Sequence, residues 1–180
     1  MALTAQIALF RAVNVGGRKA TSAELKALAD ELCLEDARTL LQTGNLVFRS
    51  ALTGAELEAE IERAFAARFG FASDVLVRAD HQWRAVLAAN PHAEMAERDP
   101  SHLVVMPLKT APERDAVAAL QAAIKGRETL AAAGRELFIA YPDGIGDSKL
   151  TGAVIERRLG VRGTARNWNT ATKLAAMLEG

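Results

Sequence analysis

Apolar residues recur along this chain in two alternating periods. Over residues 5–11, Ile7, Leu9 and Arg11 fall on one side and Ala8 and Phe10 on the other, the two-residue period of a strand. Leu25, Leu28 and Leu32 then share one helical face. Thr21 and Glu24 ahead of it form a capping-box pattern, in which hydroxyl and carboxylate each satisfy a backbone donor at a helix start. Strands are expected at 37–42 and 46–50 around Thr43-Gly-Asn45. A second capping box, Thr53 to Glu56, opens a helix with Leu57, Ile61, Ala64 and Phe65 inward, and Asp74 to Ala79 reads as a strand.

A short helix at 80–89, with Trp83, Val86 and Leu87 inward, ends at Asn90-Pro91. His102 to Leu108 is a nearly continuous apolar strand. Thr110 to Glu113 is a third capping-box pattern, leading a helix striped by Val117, Leu120 and Ile124. Strands at 128–132 and 135–141 flank Ala133-Gly134. A helix at about 148–159, a short strand at 163–166 and a terminal helix with Leu174 and Leu178 complete the order. Strand, helix, strand, strand, helix, strand thus occurs twice, so the expected fold is α+β: two pseudo-repeated ferredoxin-like (α/β-plait) halves, antiparallel sheets backed by helices. The expected boundaries are 1–79, a linking helix and loop at 80–100, and 101–180. No obvious sequence identity joins the halves, so the expectation rests on element order.

Composition narrows the function classes. Half of the 180 residues are apolar, and Lys+Arg equals Asp+Glu at 22 each. That balance argues against a dedicated nucleic-acid binder, whose phosphate contacts require a basic excess. The single cysteine, Cys33, follows Leu32 on an apolar face and is expected in the core. The three histidines, His81, His92 and His102, share no metal spacing, and no cofactor is expected. No run approaches the ~20 apolar residues of a membrane span, and Met1 to Gln6 has no basic segment leading a signal-like apolar core. The expectation is a cytoplasmic protein with no membrane partner.

Candidate chemistry lies in turns. Arg11 to Lys19 leaves the end of the first strand for a helix start. Gly16 and Gly17 free backbone amides to face an anion, Arg18 and Lys19 add charge, and Arg11 and Asn14 add donors. Thr43-Gly44-Asn45 reads as a plain hairpin turn. In Tyr141 to Lys149, Ser148 can donate to an anion and Lys149 neutralise it, with Asp147 or Ser148 capping the helix that follows. In Thr164 to Thr170, Arg166 can grip a carboxylate or phosphate in two contacts, Trp168 can stack or fill core space, and Asn167 and Asn169 can contact a ligand or cap a helix. Nothing pairs a nucleophile with a base, so no catalytic residue is assigned.

Four of these segments, Leu9 to Gly17, Leu41 to Phe48, Gly144 to Leu150 and Thr164 to Thr170, carry a resemblance to the bacterial family known as domain of unknown function 1697. The resemblance spans essentially the whole chain. It implies a duplicated α/β-plait fold and carries over no activity and no catalytic residue. Ala12 stands where that family commonly has Gly, so a positive φ is not expected there. Asp147 stands where a basic residue is common, which weakens a phosphate reading for its loop.

The leading expectation is a binding protein for a small anionic or phosphorylated ligand, such as a nucleotide. The ligand set is Arg11, Asn14, Gly16, Gly17, Arg18, Lys19, Ser148, Lys149, Arg166, Asn167 and Trp168. Three alternatives stand beside it: an enzyme acting on such a ligand, single-stranded RNA binding on a sheet face around Gly44 to Phe48, and motif residues that only hold the fold together. Neutral charge and 5% aromatic content count against the RNA reading.

Overall fold

A computed structural model describes residues 1–41 and 44–180. The chain divides into two compact units, Met1–Arg84 with Leu174–Gly180, and Ala85–Lys173. The described residues form an α+β fold with two four-stranded antiparallel sheets and seven α-helices.

In the first unit the order is β1 (Thr4–Phe10), α1 (Ser22–Glu31), β2 (Glu35–Thr39), β3 (Asn45–Ser50), α2 (Gly54–Phe69), β4 (Val75–Ala79) and the start of α3 (Asp80–Ala88). The sheet runs β2-β3-β1-β4. Ala8, Phe10, Leu46, Phe48, Val75 and Val77 turn one face toward Leu25 and Leu28 of α1 and Leu57, Ile61 and Phe65 of α2. Phe65 is the hub of an aromatic cluster, 5.4 Å from Phe10, 4.4 Å from Phe69 and 5.2 Å from Phe71 between ring centres. Ile7 and Leu9, on the alternate positions of β1, are also fully buried. The edge strand β4 is closed by side chains: the amides of Val75, Val77 and Ala79 donate to Glu62, Glu58 and Gln82 at 2.8, 2.9 and 2.9 Å. Amides so occupied are not open to another strand.

The second unit begins in α3 and continues with α4 (Ala93–Arg98), a 3-10 turn at Pro100–His102, β5 (Leu103–Pro107), α5 (Arg114–Ala123), β6 (Thr129–Ala133), β7 (Glu136–Ala140), α6 (Gly152–Leu159), β8 (Arg166–Asn167) and α7 (Trp168–Glu179), whose last residues belong to the first unit. The sheet runs β6-β7-β5-β8. Val104, Met106, Leu137 and Ile139 face Leu120 of α5 and Ile155 and Leu159 of α6.

Several backbone contacts recur between the units at matching places. Phe10 N donates to Gly44 O at 2.9 Å, and Leu108 N to Arg135 O at 2.7 Å. Arg11 N donates to Asp74 O at 2.9 Å, and Lys109 N to Arg162 O at 2.8 Å. Glu62 of α2 accepts from Val75 N, and Glu156 of α6 from Gly163 N at 3.2 Å. The buried Arg78 and Arg166 each donate to the carbonyl one residue back, both at 2.9 Å. Ser50 and Ser148 hydroxyls accept from Leu52 N and Leu150 N, both at 3.1 Å. The units differ between sheet and helix: β3 ends on Ser50, whereas residues 141–147 intervene between β7 and Ser148.

Local expectations met mixed outcomes. The Thr21 box forms, with Glu24 N donating to the Thr21 hydroxyl and Thr21 N to the Glu24 carboxylate at 2.8 Å. Thr53 caps α2 by position only, without a side-chain bond, because Gly54 at φ +64 turns the first residue out of helical geometry. The third box does not form: α5 starts at Arg114 with Glu113 as cap. Pro112 bars Ala111 from the helical region, so Thr110 cannot begin the helix. α6 likewise starts late, at Gly152, capped by Thr151 rather than by Asp147 or Ser148. Cys33 is exposed rather than in the core, because α1 ends at Glu31 and Cys33 turns left-handed at φ +53. The strand expected over 37–42 ends at Thr39. α4, in the segment expected as linker, carries only a weak apolar pattern and buries none of its residues.

Candidate functional site

In the first unit the Arg11–Lys19 turn is built by its own side chains. Arg11 lies 3.7 Å from the Asp74 carboxylate, while its carbonyl accepts from Ser73 Oγ at 2.7 Å. Asn14 bridges the loop by receiving Ala20 N at 3.0 Å and donating to Ala20 O at 3.2 Å. Gly16 and Gly17 sit at φ +58 and +81, with open space where a Cβ would point. The Arg18 guanidinium stacks 5.7 Å above the Phe71 ring, and Lys19 is exposed. A cavity of about 320 Å³ is lined by Asn14, Gly17, Arg18, Lys19 and Thr21. The adjoining end of α1 is already served: Glu24, its carboxyl held below the usual range by the Thr21 amide and hydroxyl, lies there.

Ala12 corrects the sequence reading, since it adopts φ +56 despite its side chain. Asn14 and Leu41 share the left-handed region at +60 each, a conformation costly to residues with a Cβ. The Gly44 turn is more than a hairpin link. A Cβ on Gly44 would lie 2.6 Å from Val13 Cγ2 and 3.0 Å from Phe10 Cβ, so two separate motifs meet at one end of this sheet. Asn45 is fully buried and donates to Leu40 O at 2.9 Å. Thr43 lies outside the described residues. Phe48, the aromatic of the segment read for base stacking, is buried in the helix-side core.

In the second unit Ser148 and Lys149 take different positions. Ser148 Oγ donates to Glu128 at 2.5 Å, so its proton faces a carboxylate rather than an incoming anion. Lys149 is exposed and makes no hydrogen bond or ion pair among the described residues. Buried Tyr141 donates to Leu150 O at 2.8 Å, and its phenol is pushed up to about 12, by burial first and by the Glu128 charge second. Arg127 grips Asp143, with one contact at 2.9 Å, and holds that carboxyl below its ordinary range. Glu128 has no sequence signature, because it lies 20 positions from the serine it binds.

At the β8–α7 junction Arg166 is buried, 8% exposed, and donates to Thr164 Oγ1 at 2.6 Å as well as to Ala165 O. Burial lowers its pKa to about 10. Asn167 caps α7, accepting from Thr170 N at 3.0 Å. Trp168 is half-buried at the first position of that helix. One pairing was missed: His102 Nδ1 lies 2.6 Å from Asp99 Oδ2, while Asp99 Oδ1 accepts from Ser101 Oγ at 3.0 Å. Its only sequence signal is the three-residue spacing.

Two helix-backed antiparallel sheets, with motif residues gathered at strand-to-helix turns, place this chain among α+β proteins whose candidate chemistry lies in loops. The model of the family described as Protein of unknown function (DUF1697) matches residues 3–138, and the chain belongs to that family. It is also similar to the structure of the conserved bacterial protein SP0830 from Streptococcus pneumoniae. That likeness has a TM-score of 0.79 and 24% identity over 99% of this chain and 100% of that one, and it bears on the fold. No curated protein matches. Among the described residues no helix is long and apolar enough to cross a membrane.

Proposed function

We propose that this is a cytoplasmic protein that binds a small anionic or phosphorylated ligand, with the Asn14–Lys19 turn as its site. The observation that carries the reading is the cavity formed by Gly17, Arg18 and Lys19 beside a helix start. Glycine amides without a Cβ above them, next to two cations, suit an oxyanion. Positive φ at Ala12 and Asn14 points the same way, because strained backbone gathers at functional turns.

The test is a titration of the full chain with inorganic phosphate, pyrophosphate and adenosine monophosphate, followed by backbone amide shifts and melting. At a hundredfold over its dissociation constant a bound compound adds about 2.7 kcal/mol. Gly16 and Gly17 amides are expected to shift, with affinity falling about tenfold in Lys19→Glu, whose exposed side chain leaves the fold alone. No response to any of the three compounds, or an unchanged affinity in the variant, overturns the reading.

A second reading has its own support. Arg11, Asn14, Arg166 and Asn167 have polar partners within the fold, so these four serve turn geometry. We also propose that the units are pseudo-repeated ferredoxin-like halves. The shared strand order and the matched hydrogen bonds support this, since unrelated sheets would not repeat the same contacts at the same register.

A further inference from the structure

Residues 141–147, which have no counterpart in the first unit, form one wall of a cleft of about 570 Å³ within the second unit. That volume lies in the range of small-molecule sites. Its apolar lining comes from Leu120 and Ile124 of α5, Leu150, and Val154 of α6. Lys125 after α5, Lys149 before α6 and Arg158 on α6 line the same cleft from three separate places in the chain. All three are exposed, and none makes an ion pair or hydrogen bond among the described residues. Of the three carboxylates in the lining, Asp143 is balanced by Arg127, while Glu128 keeps its charge under the Ser148 hydroxyl and Asp147 has no partner among the described residues. Three cations against these two carboxylates leave a net positive charge, set around an apolar floor.

We propose that this cleft binds an amphipathic anion: an apolar body lying on Leu120, Ile124, Leu150 and Val154, with a carboxylate or phosphate head held by Lys125, Lys149 and Arg158. The apolar body supplies affinity by leaving water, and the head fixes orientation. Ser148 and Tyr141 position the wall, the first through Glu128 and Leu150 N, the second through Leu150 O. The site shares no residue with the Asn14–Lys19 turn and does not rest on it.

The test is a methyl and amide chemical-shift titration of the full chain with octanoate, phenyl phosphate, inorganic phosphate and octylammonium. Octanoate or phenyl phosphate is expected to shift the methyl groups of Leu120, Ile124, Leu150 and Val154. Inorganic phosphate and octylammonium should bind there at least about tenfold more weakly, the first lacking the body and the second carrying the opposite charge. Lys125→Glu with Arg158→Glu, both exposed, should cost about tenfold or more. Three outcomes overturn the proposal: no shift with either amphipathic anion up to about 10 mM, equal binding of octylammonium, or unchanged affinity in the doubly reversed variant.

Discussion

The two units share a strand order and at least five matched polar contacts, yet they differ in how the space around the sheet is filled. The first packs a 16-residue α2 and five phenylalanines, Phe10, Phe48, Phe65, Phe69 and Phe71, into its core, and stores left-handed backbone in the turns at one sheet end. The second has an eight-residue α6, a single phenylalanine on its sheet, and an inserted glycine-bearing loop that walls a cleft. The paired sheet contacts set the scaffold, while the 141–147 loop and the shorter α6 border the cleft of the second unit. Backbone ladders tolerate little variation in register, whereas a loop beyond the ladder lengthens at small entropic cost.

The sharpest way to test that contrast is to remove the aromatic hub. Phe65→Ala is expected to cost about 4 kcal/mol by cavity formation in a core of neighbouring rings. Native-state hydrogen exchange should report the loss in β1, β3 and β4 amides. An equal loss of protection throughout β5 and β7 would break the picture of a loss confined to the first unit. Gly44→Ala comes next, at about 3 kcal/mol, because its Cβ would overlap Val13 and Phe10 while the backbone stays at φ +73. In the β6–β7 turn Gly134→Ala should cost only about 1 kcal/mol, since it meets nothing nearer than 3.9 Å. Urea unfolding distinguishes the two, and similar costs would mean that turn packing does not separate the units.

Helix starts offer a smaller contrast. Thr21→Ala should cost about 1 kcal/mol, while Thr110→Ala changes stability by less than about 0.5 kcal/mol, because only the first hydroxyl caps a helix. Acid sharpens the point. The Glu24 carboxyl is held below its ordinary 4.5, so its contribution is present above that pH and is lost as pH falls through the folded value. Glu24→Gln should therefore flatten the acid limb of a stability–pH curve, and an unaltered limb would count against the box. The smallest effect is a gain: Ala12→Gly relieves φ +56 and is expected to stabilise by about 0.5 kcal/mol, after the greater freedom of glycine in the unfolded chain is subtracted. A loss of stability in thermal melting would mean that the left-handed turn carries no strain at that residue.

Much of the scaffold was legible in the sequence. Alternation in residues 5–11 and the Leu57–Ile61–Phe65 stripe each report a face that must be buried, and both elements form where the pattern indicates. Capping was legible only where chain geometry upstream allowed it, at Thr21 but not at Thr110, where Pro112 delays the helix. The site was less legible. The Ser148 hydroxyl donates to Glu128, Arg11 lies beside Asp74 and Asn14 bonds Ala20, partners that the turn sequences do not announce. Their partners lie anywhere from six to 63 positions away, and no local pattern encodes such pairings.

By itself the sequence determined element order, strand and helix faces and family membership, because these follow from short-range periodicity and from contiguous motifs. Tertiary structure alone decided which polar groups are already satisfied within the fold and which face solvent. It also decided that Cys33 faces outward, that Ala12 turns left-handed, and that three cations distant in the chain ring one cleft. Hydrogen-bond satisfaction and burial depend on what folding brings within about 3–4 Å, and that distance is set by the whole chain rather than by neighbours in sequence.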